Sequence, residues 1–370
     1  MKRLEILDYG RLAAAVAVVA FHYLFNGITN GKVASIDIEP QIASVAKYGY
    51  LGVEFFFLIS GYVIFFSARS RTVTQFIIGR AVRLVPAFVP ALILTATAAQ
   101  FWGGERMGVT LPQVIANLTF FPHVFGFQYV DGVYWTLSYE ITFYAAVVAL
   151  LVLGQRSRMD LAVMLWPLGM VLATVVGLDR APLAGRVYVF FAVGALFALT
   201  RTRRDLPAYS SLALAMGLAL WFSVTRADAM SAAKGVVYSG AVIGAIVVAM
   251  FTFFATLSHP RVASLRLPGS QLAGALTYPI YLLHAHIGYM LLNQFATEQN
   301  KWVAYSAIVA LISGLAYVLH IVFERKLGPV WRRIFEKLAA LLWGFSQAGR
   351  DAKREVRLRA PPAPGSEFPD

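Results

Sequence analysis

The sequence predicts an all-α polytopic membrane protein, a bundle of about ten transmembrane helices with N- and C-termini in the cytoplasm. Three observations carry that expectation. Of the 370 residues, 59% are apolar and only 14% charged, against about 45–50% and about 25% in an ordinary soluble domain. Apolar stretches able to cross about 30 Å of hydrocarbon recur along the chain. The basic residues crowd onto alternate connections, as the positive-inside rule demands. A disordered or disulfide-framed chain is excluded by the same numbers.

The spans cover residues 7–26, 49–67, 84–101, 133–153, 159–178, 187–200, 207–225, 235–257, 271–294 and 302–323, each bounded by Arg, Gly, Pro or polar residues. The first follows Lys2 and Arg3 but is interrupted by Asp8, Arg11 and His22. It also lacks a small-residue cleavage site, so it reads as an uncleaved helix rather than a signal peptide. The sixth is short, and the segment 112–130 reads as a re-entrant or surface helix. With the N-terminus inside, the outer connections keep only Lys32, Lys47, Arg106, Arg180, Arg186, Arg226, Lys234 and Lys301 of the 32 Lys and Arg. Residues 1–335 form the membrane domain. Residues 336–370 form a cytoplasmic helix and tail, ending in APPAPGSEFPD, too polar and proline-rich to pack. With short loops, any chemistry belongs within or at the edge of the bundle.

Several ionisable groups sit where burial is costly. The apolar part of the first helix, Leu12 to Phe25, rises only about 21 Å at 1.5 Å per residue, which leaves Arg11 at or inside the leaflet, with Asp8 three residues before it as a partner. A charge there costs about 2.5–3.5 kcal/mol unless it is paired, snorkelling or facing water. His22 follows Arg11 by eleven positions, three turns plus about 20°, so the two share a face about 16 Å apart in depth. The same spacing also fits an interfacial anchor and a packing histidine. Glu54, in GVEFFFLISGYVI, and Glu140, in YWTLSYEITFY, enter their spans at comparable outer depth. Carboxylates there need partners, and His22 is the natural one for Glu140. Arg80 and Arg83, in GRAVRLVP, aim two forked donors at one locus, suited to phosphate or to ordinary anchoring.

Other chemistries are removed. The chain has no Cys, so thiol nucleophiles, acyl-thioester enzyme intermediates and thiolate metal sites are impossible. No metal site is expected: His284 and His286 stand about 200° apart on a helix, and no metal-binding or phosphate-loop motif occurs.

In four ordered segments the chain resembles the acyltransferase-3 family of integral membrane O-acyltransferases: LDYGRLAAAVAVVAFHY, GVEFFFLISGYVI, GRAVRLVP and YWTLSYEITFY. A fifth, TYPIYLLHAHI with Tyr281 and His284, looks like the family's late Tyr-Pro-x-Tyr-Leu-x-His segment. The resemblance implies that Arg11 and His22 are needed for activity, and that Arg80 and Arg83 help bind acyl-CoA, expected to be acetyl-CoA, from the cytoplasm. Trp135, Ser138 and Glu140 match the family's Trp-x-x-Ser-x-Glu pattern. The family's usual Gly after the first-helix Arg is Leu12 here, and FERKLGP carries Lys326 where many members have Pro. No soluble esterase-like domain is appended, so the chain looks like a stand-alone member.

The mechanism implied keeps the charged donor at the inner surface, on Arg11, Arg80 and Arg83, while its pantetheine arm reaches His22. His22, backed by Glu140, is the expected general base on a hydroxyl of a sugar or glycoconjugate near the outer face of a bacterial inner membrane. An acyl-imidazole on His22 is the competing chemistry. Glu54, Trp135, Ser138, Tyr281 and His284 are expected to line the acceptor site. A proton-coupled transporter or flippase of a glycolipid is the rival reading. No nucleic-acid partner is expected.

Overall fold

The computed structural model describes residues 4–341, all helices and loops without a strand. Ten principal helices follow the expected spans. They are α1 Glu5–Phe21, α2 Leu51–Ser70, α3 Val73–Trp102, α4 Trp135–Val152 and α5 Met159–Val175, then α6 Gly185–Leu199, α7 Leu206–Val224, α8 Gly240–Thr256, α9 Ser270–Phe295 and α10 Lys301–Leu319. Seven helical segments are long and apolar enough to cross a membrane by length and composition, whereas α6 and α8 are shorter apolar helices. The 26 residues of α9 are long enough but carry polar groups along their length. The boundary expected at residue 336, between the membrane domain and the C-terminal helix and tail, falls inside a helix over residues 328–341, and residues from 342 onward lie outside the described residues.

Helix starts follow local chemistry. A capping box, in which the Thr72 hydroxyl accepts from the Gln75 N–H and the Gln75 side chain accepts from the Thr72 N–H, opens α3 eleven residues ahead of the expected span. Arg80 and Arg83 therefore sit two to three turns inside a helix rather than at its start. The segment expected as a re-entrant or surface helix is a short helix, Leu111–Asn117, followed by irregular chain. Phe120 lies there at φ 65°, its ring stacked on Phe88 at 4.4 Å.

Packing divides into two apolar clusters. One gathers α2, α5, α6, α7 and α8; the other gathers α3, α9, α10 and residues 130–137. At the centre of the first, every residue of α6 except Arg186 and Val187 is buried. It lies almost backbone to backbone on α2: a Cβ on Gly194 would stand 2.0 Å from the Leu58 carbonyl oxygen, and one on Gly61 would stand 2.0 Å from that of Phe191. Small residues at a membrane interface permit this approach. Helix α1 and the turn after it belong to both clusters, sending Leu7, Ala14 and Phe21 to one and Val18 and Tyr23 to the other. The seam between the clusters holds the polar side chains.

Candidate active site

Helix α1 changes pitch where its function is expected. It passes at His22 into a π-helical turn, His22–Asn26, before a last helical turn over Gly27–Thr29. Such turns are rare and are frequently found at functional sites. A second π-helical segment, His320–Lys326, ends α10.

Three cavities follow the seam. The first, of about 1270 Å³, is lined by Asp8, Arg11, Arg80, Arg83, His320 and Arg325 among others; we call it the arginine cavity. The second is narrow, about 130 Å³, and shares Arg11, Val63, Arg80 and Arg83 with the first while adding Ser60, Glu140, Tyr144 and Tyr278. The third, the histidine cavity, is about 750 Å³; it contains His22, Glu54, Asp131, Trp135 and His286, and shares Val53 and Tyr281 with the middle one. Leu4 and Leu7 near the start of the described chain and His320 and Arg325 near its end all line the arginine cavity, so both ends of the bundle's chain meet on one face.

The arginines are held by acids and rings. Arg11 Nη1 meets Asp8 Oδ1 at 3.1 Å. Arg83 Nη1 meets Glu324 Oε1 at 3.5 Å, and its guanidinium lies 5.3 Å from the Tyr278 ring centre. Glu324 also accepts from His320 Nδ1 at 2.7 Å. Arg80 lies 5.8 Å from the Tyr144 ring centre, and its buried Nε makes no hydrogen bond. All three guanidiniums line one space.

Glu140 is placed differently from the expectation. It accepts from Ser60 Oγ at 3.1 Å and from the Tyr144 hydroxyl, and it lines the middle cavity with the arginines. His22 lies in the next cavity and takes other partners. Its Nδ1 is 2.8 Å from the Val18 carbonyl oxygen and 3.2 Å from His284 Nε2.

These contacts assign the tautomers by elimination. A carbonyl only accepts, so His22 Nδ1 carries the proton. The carbonyls of Tyr281 at 2.8 Å and Ile280 at 3.2 Å fix the other ring's proton on His284 Nδ1, leaving His284 Nε2 to accept from His22. The basic nitrogen of neutral His22 is then Nε2. His284 is fully buried, contacts His22 and lines none of the three cavities.

The remaining expected acceptor-site residues divide. Trp135, Glu54 and Tyr281 line the histidine cavity. Glu54 Oε2 is buried without a hydrogen bond. Tyr281 bonds through its hydroxyl to Thr136 Oγ1 at 3.0 Å and the Val133 carbonyl at 3.2 Å, which fixes a ring that lines both the middle and the histidine cavities. Ser138 lines none of the three cavities. Its hydroxyl donates to the Phe120 carbonyl at 2.5 Å and meets the Tyr129 hydroxyl at 2.7 Å, fastening the left-handed Phe120 loop to α4.

Sequence reading missed a network on the other wall. Fully buried Asp131 accepts backbone N–H groups from Val133 at 3.1 Å and His286 at 2.8 Å, and pairs with His286 Nδ1 at 3.1 Å. Lys32 Nζ approaches His286 Nε2 at 3.3 Å. An acid four residues before Trp135, where a loop enters the bundle, was a readable signal for Asp131. Nothing in the sequence linked Lys32 to it. Among the described residues no group of His, Asp and Glu could hold a metal ion.

Comparison with known proteins adds three findings. A family model described as an acyltransferase domain matches residues 4–321. The exopolysaccharide production protein ExoZ of Rhizobium meliloti (strain 1021) is 28% identical over 248 residues, covering 64% of this chain and 75% of that protein. An O-acetyl transferase of Shigella phage Sf6 is 38% identical over 97 residues, 26% of each chain. No solved structure matches. A match over nearly the whole described bundle, on a helical framework that carries the motif residues along one seam, establishes that the chain belongs to the acyltransferase-3 family of integral membrane acyltransferases.

Proposed function

We propose that the protein is an O-acetyltransferase that takes an acetyl group from acetyl-CoA on the cytoplasmic side and passes it to a sugar hydroxyl near the outer face of a bacterial inner membrane. One observation carries this reading: the three cavities share lining residues in series, from Arg11, Arg80 and Arg83 through Tyr281 to the cavity of His22. The relatives named for exopolysaccharide production and O-acetyl transfer support the choice of a sugar hydroxyl and an acetyl group. No observation favours the carrier reading.

In this reading the guanidiniums hold the donor's phosphates, which never cross. The pantetheine arm passes the narrow middle cavity beside Glu140 and Tyr144. Its length requirement agrees with the rise of about 16 Å from Arg11 to His22. His22 Nε2 takes the proton of the acceptor hydroxyl as its oxygen attacks the thioester carbonyl carbon. The tetrahedral intermediate collapses with cleavage of the C–S bond, and the departing CoA sulfur receives the proton from His22. The new bond is an ester C–O, and the ring returns to its neutral form. The Val18 carbonyl and His284 hold the proton on Nδ1 throughout, the orienting role that Glu140 was expected to fill. Glu140 instead positions Tyr144 and Ser60 along the donor's path.

Purified protein incubated with labelled acetyl-CoA and a panel of sugars tests the reading, with ester formation detected by mass. His22→Ala should lower turnover by about 10²–10⁴-fold while donor binding persists. Near wild-type turnover in that variant refutes the assignment. Label retained on the protein without acceptor identifies the acyl-imidazole route.

A further inference from the structure

The histidine cavity is cationic in a way that catalysis at His22 does not require. Lys32, Arg180, Arg186, Arg226 and Lys234 line it, against Glu54, Asp131 and Asp179. Several of these charges are committed. Asp131 and Lys32 are tied to His286 and Lys234 Nζ donates to Asn26 Oδ1 at 2.7 Å, whereas Arg226 makes no hydrogen bond or ion pair among the described residues and lines the cavity together with Glu54, whose Oε2 is buried. Arg180 and Arg186 are likewise unpaired: both are exposed, and neither makes a hydrogen bond or ion pair among the described residues. The other cations expected on this side are occupied by protein. Lys47 donates to the Val237 carbonyl, Arg106 to the Gly31 carbonyl, and Lys301 to Glu39 and Glu298.

Arg180 lies in the connection between α5 and α6 and Arg186 in the first turn of α6, and that connection is held in place. The Trp166 indole N–H donates to the Leu183 carbonyl at 2.7 Å. Aromatic side chains share the cavity. The Trp135 and Tyr139 rings lie 5.3 Å apart edge to face, and Tyr188 is 5.1 Å beyond Tyr139. Forked donors match the geometry of carboxylate or phosphate, ring faces suit the apolar face of a sugar, and about 750 Å³ is within the ordinary size of a ligand site.

From this arrangement we propose that the acceptor is an acidic glycan, its oxyanion held at the cavity rim by Arg180 and Arg186 while its sugar ring lies against Trp135, Tyr139 and Tyr188. The inference rests on the acyltransferase reading and narrows its acceptor.

The test uses full-length protein in nanodiscs of zwitterionic lipid, without donor, and measures calorimetric binding of three probes. These are a glucuronate-terminated trisaccharide, its glucose-terminated counterpart, and a phosphate monoester of the latter. The glucuronate probe should bind about tenfold or more tighter than the neutral one, and the difference should shrink as salt rises. It should also shrink in the Arg180→Gln/Arg186→Gln protein and in Arg186→Glu. Tighter binding of the phosphate ester than of the glucuronate assigns the oxyanion to a phosphate and leaves the proposal standing. Equal or weaker binding of both charged probes by the wild-type protein overturns it, as does a preference that survives both sets of substitutions. Acetyl transfer measured in parallel separates the two readings. Transfer to neutral sugars without charge preference defeats this inference alone, whereas selective binding of acidic sugars with no acetyl-CoA consumed under any condition defeats the acyltransferase mechanism.

Discussion

Replacing His284 by Phe isolates the contact that orients the proposed base. The ring is fully buried, so Phe keeps its volume and shape to a first approximation. At His22 what disappears is the Nε2 acceptor 3.2 Å from Nδ1, while the Val18 carbonyl at 2.8 Å remains; the His284 Nδ1 donation that also goes is to the Tyr281 and Ile280 carbonyls of its own helix. One of two acceptors on a shared N–H is therefore lost, an effect of about 0.5–1.5 kcal/mol for a neutral hydrogen bond. Applied to the barrier, this is about 2–12-fold in kcat. Removal of His22 itself costs the whole of general-base catalysis, about 10²–10⁴-fold. Steady-state acetyl transfer should show a reduced kcat in His284→Phe with the KM for acetyl-CoA unmoved, because the proposed grip on the donor's phosphates is at the arginine cavity, away from His284. The double variant with His22→Ala should lose little beyond His22→Ala alone, since both changes act on one group. A loss in His284→Phe as deep as in His22→Ala would make His284 a reacting group and refute the positioning argument. Unchanged kcat would show that the Val18 carbonyl suffices.

Three further outcomes follow from the geometry. Arg83→Ala should raise the KM for acetyl-CoA about tenfold or more by removing a charge-assisted donor, with a much smaller change in kcat; titration of the donor in steady-state assays decides it, and an unmoved KM excludes Arg83 from the donor site. Ser138→Ala should destabilise the protein by about 1–3 kcal/mol, because the Phe120 carbonyl loses its partner. Thermal melting in detergent measures that loss, and an acceptor KM that rises without loss of stability would restore the expectation that Ser138 touches substrate. Gly194→Ala should cost about 1–3 kcal/mol by overpacking, since its Cβ would stand 2.0 Å from the Leu58 carbonyl oxygen on α2; a melting temperature equal to wild type would contradict the close approach of α2 and α6.

Much of the site was legible because its residues violate the solvent around them. A guanidinium, an imidazole and two carboxylates in apolar stretches stand out against a bilayer that penalises each of them. Arg11, Arg80, Arg83 and Glu140 do gather around one space, and His22 lines the next. Pairing was less legible. Glu140 and His22 were joined by depth alone, and depth along separate helices does not give rotation about their axes or the crossing of α4 with α1. The π-helical turn at His22 rotates everything after it, and periodicity of 3.6 residues does not anticipate that. His284 was readable as part of a motif, but its position against His22 depends on α1 and α9 packing closely enough for the Tyr23 hydroxyl to reach the His284 carbonyl at 2.8 Å. Ser138 carried a motif position and turned out to fasten a loop.

Length, hydropathy and the placement of Arg and Lys determined by themselves that this chain is a helical membrane bundle, because transfer of each helix from water to lipid depends on that helix's own residues. Motif order determined the family for the same kind of reason, since each segment is contiguous. Tertiary structure alone decided that the cavities run in series, that His284 rather than Glu140 meets His22 Nδ1, and that Lys32 reaches the Asp131–His286 pair. Those are relations between helices distant in the chain, and they are set by ridges, glycine contacts and helix ends packing against one another, which no single segment encodes.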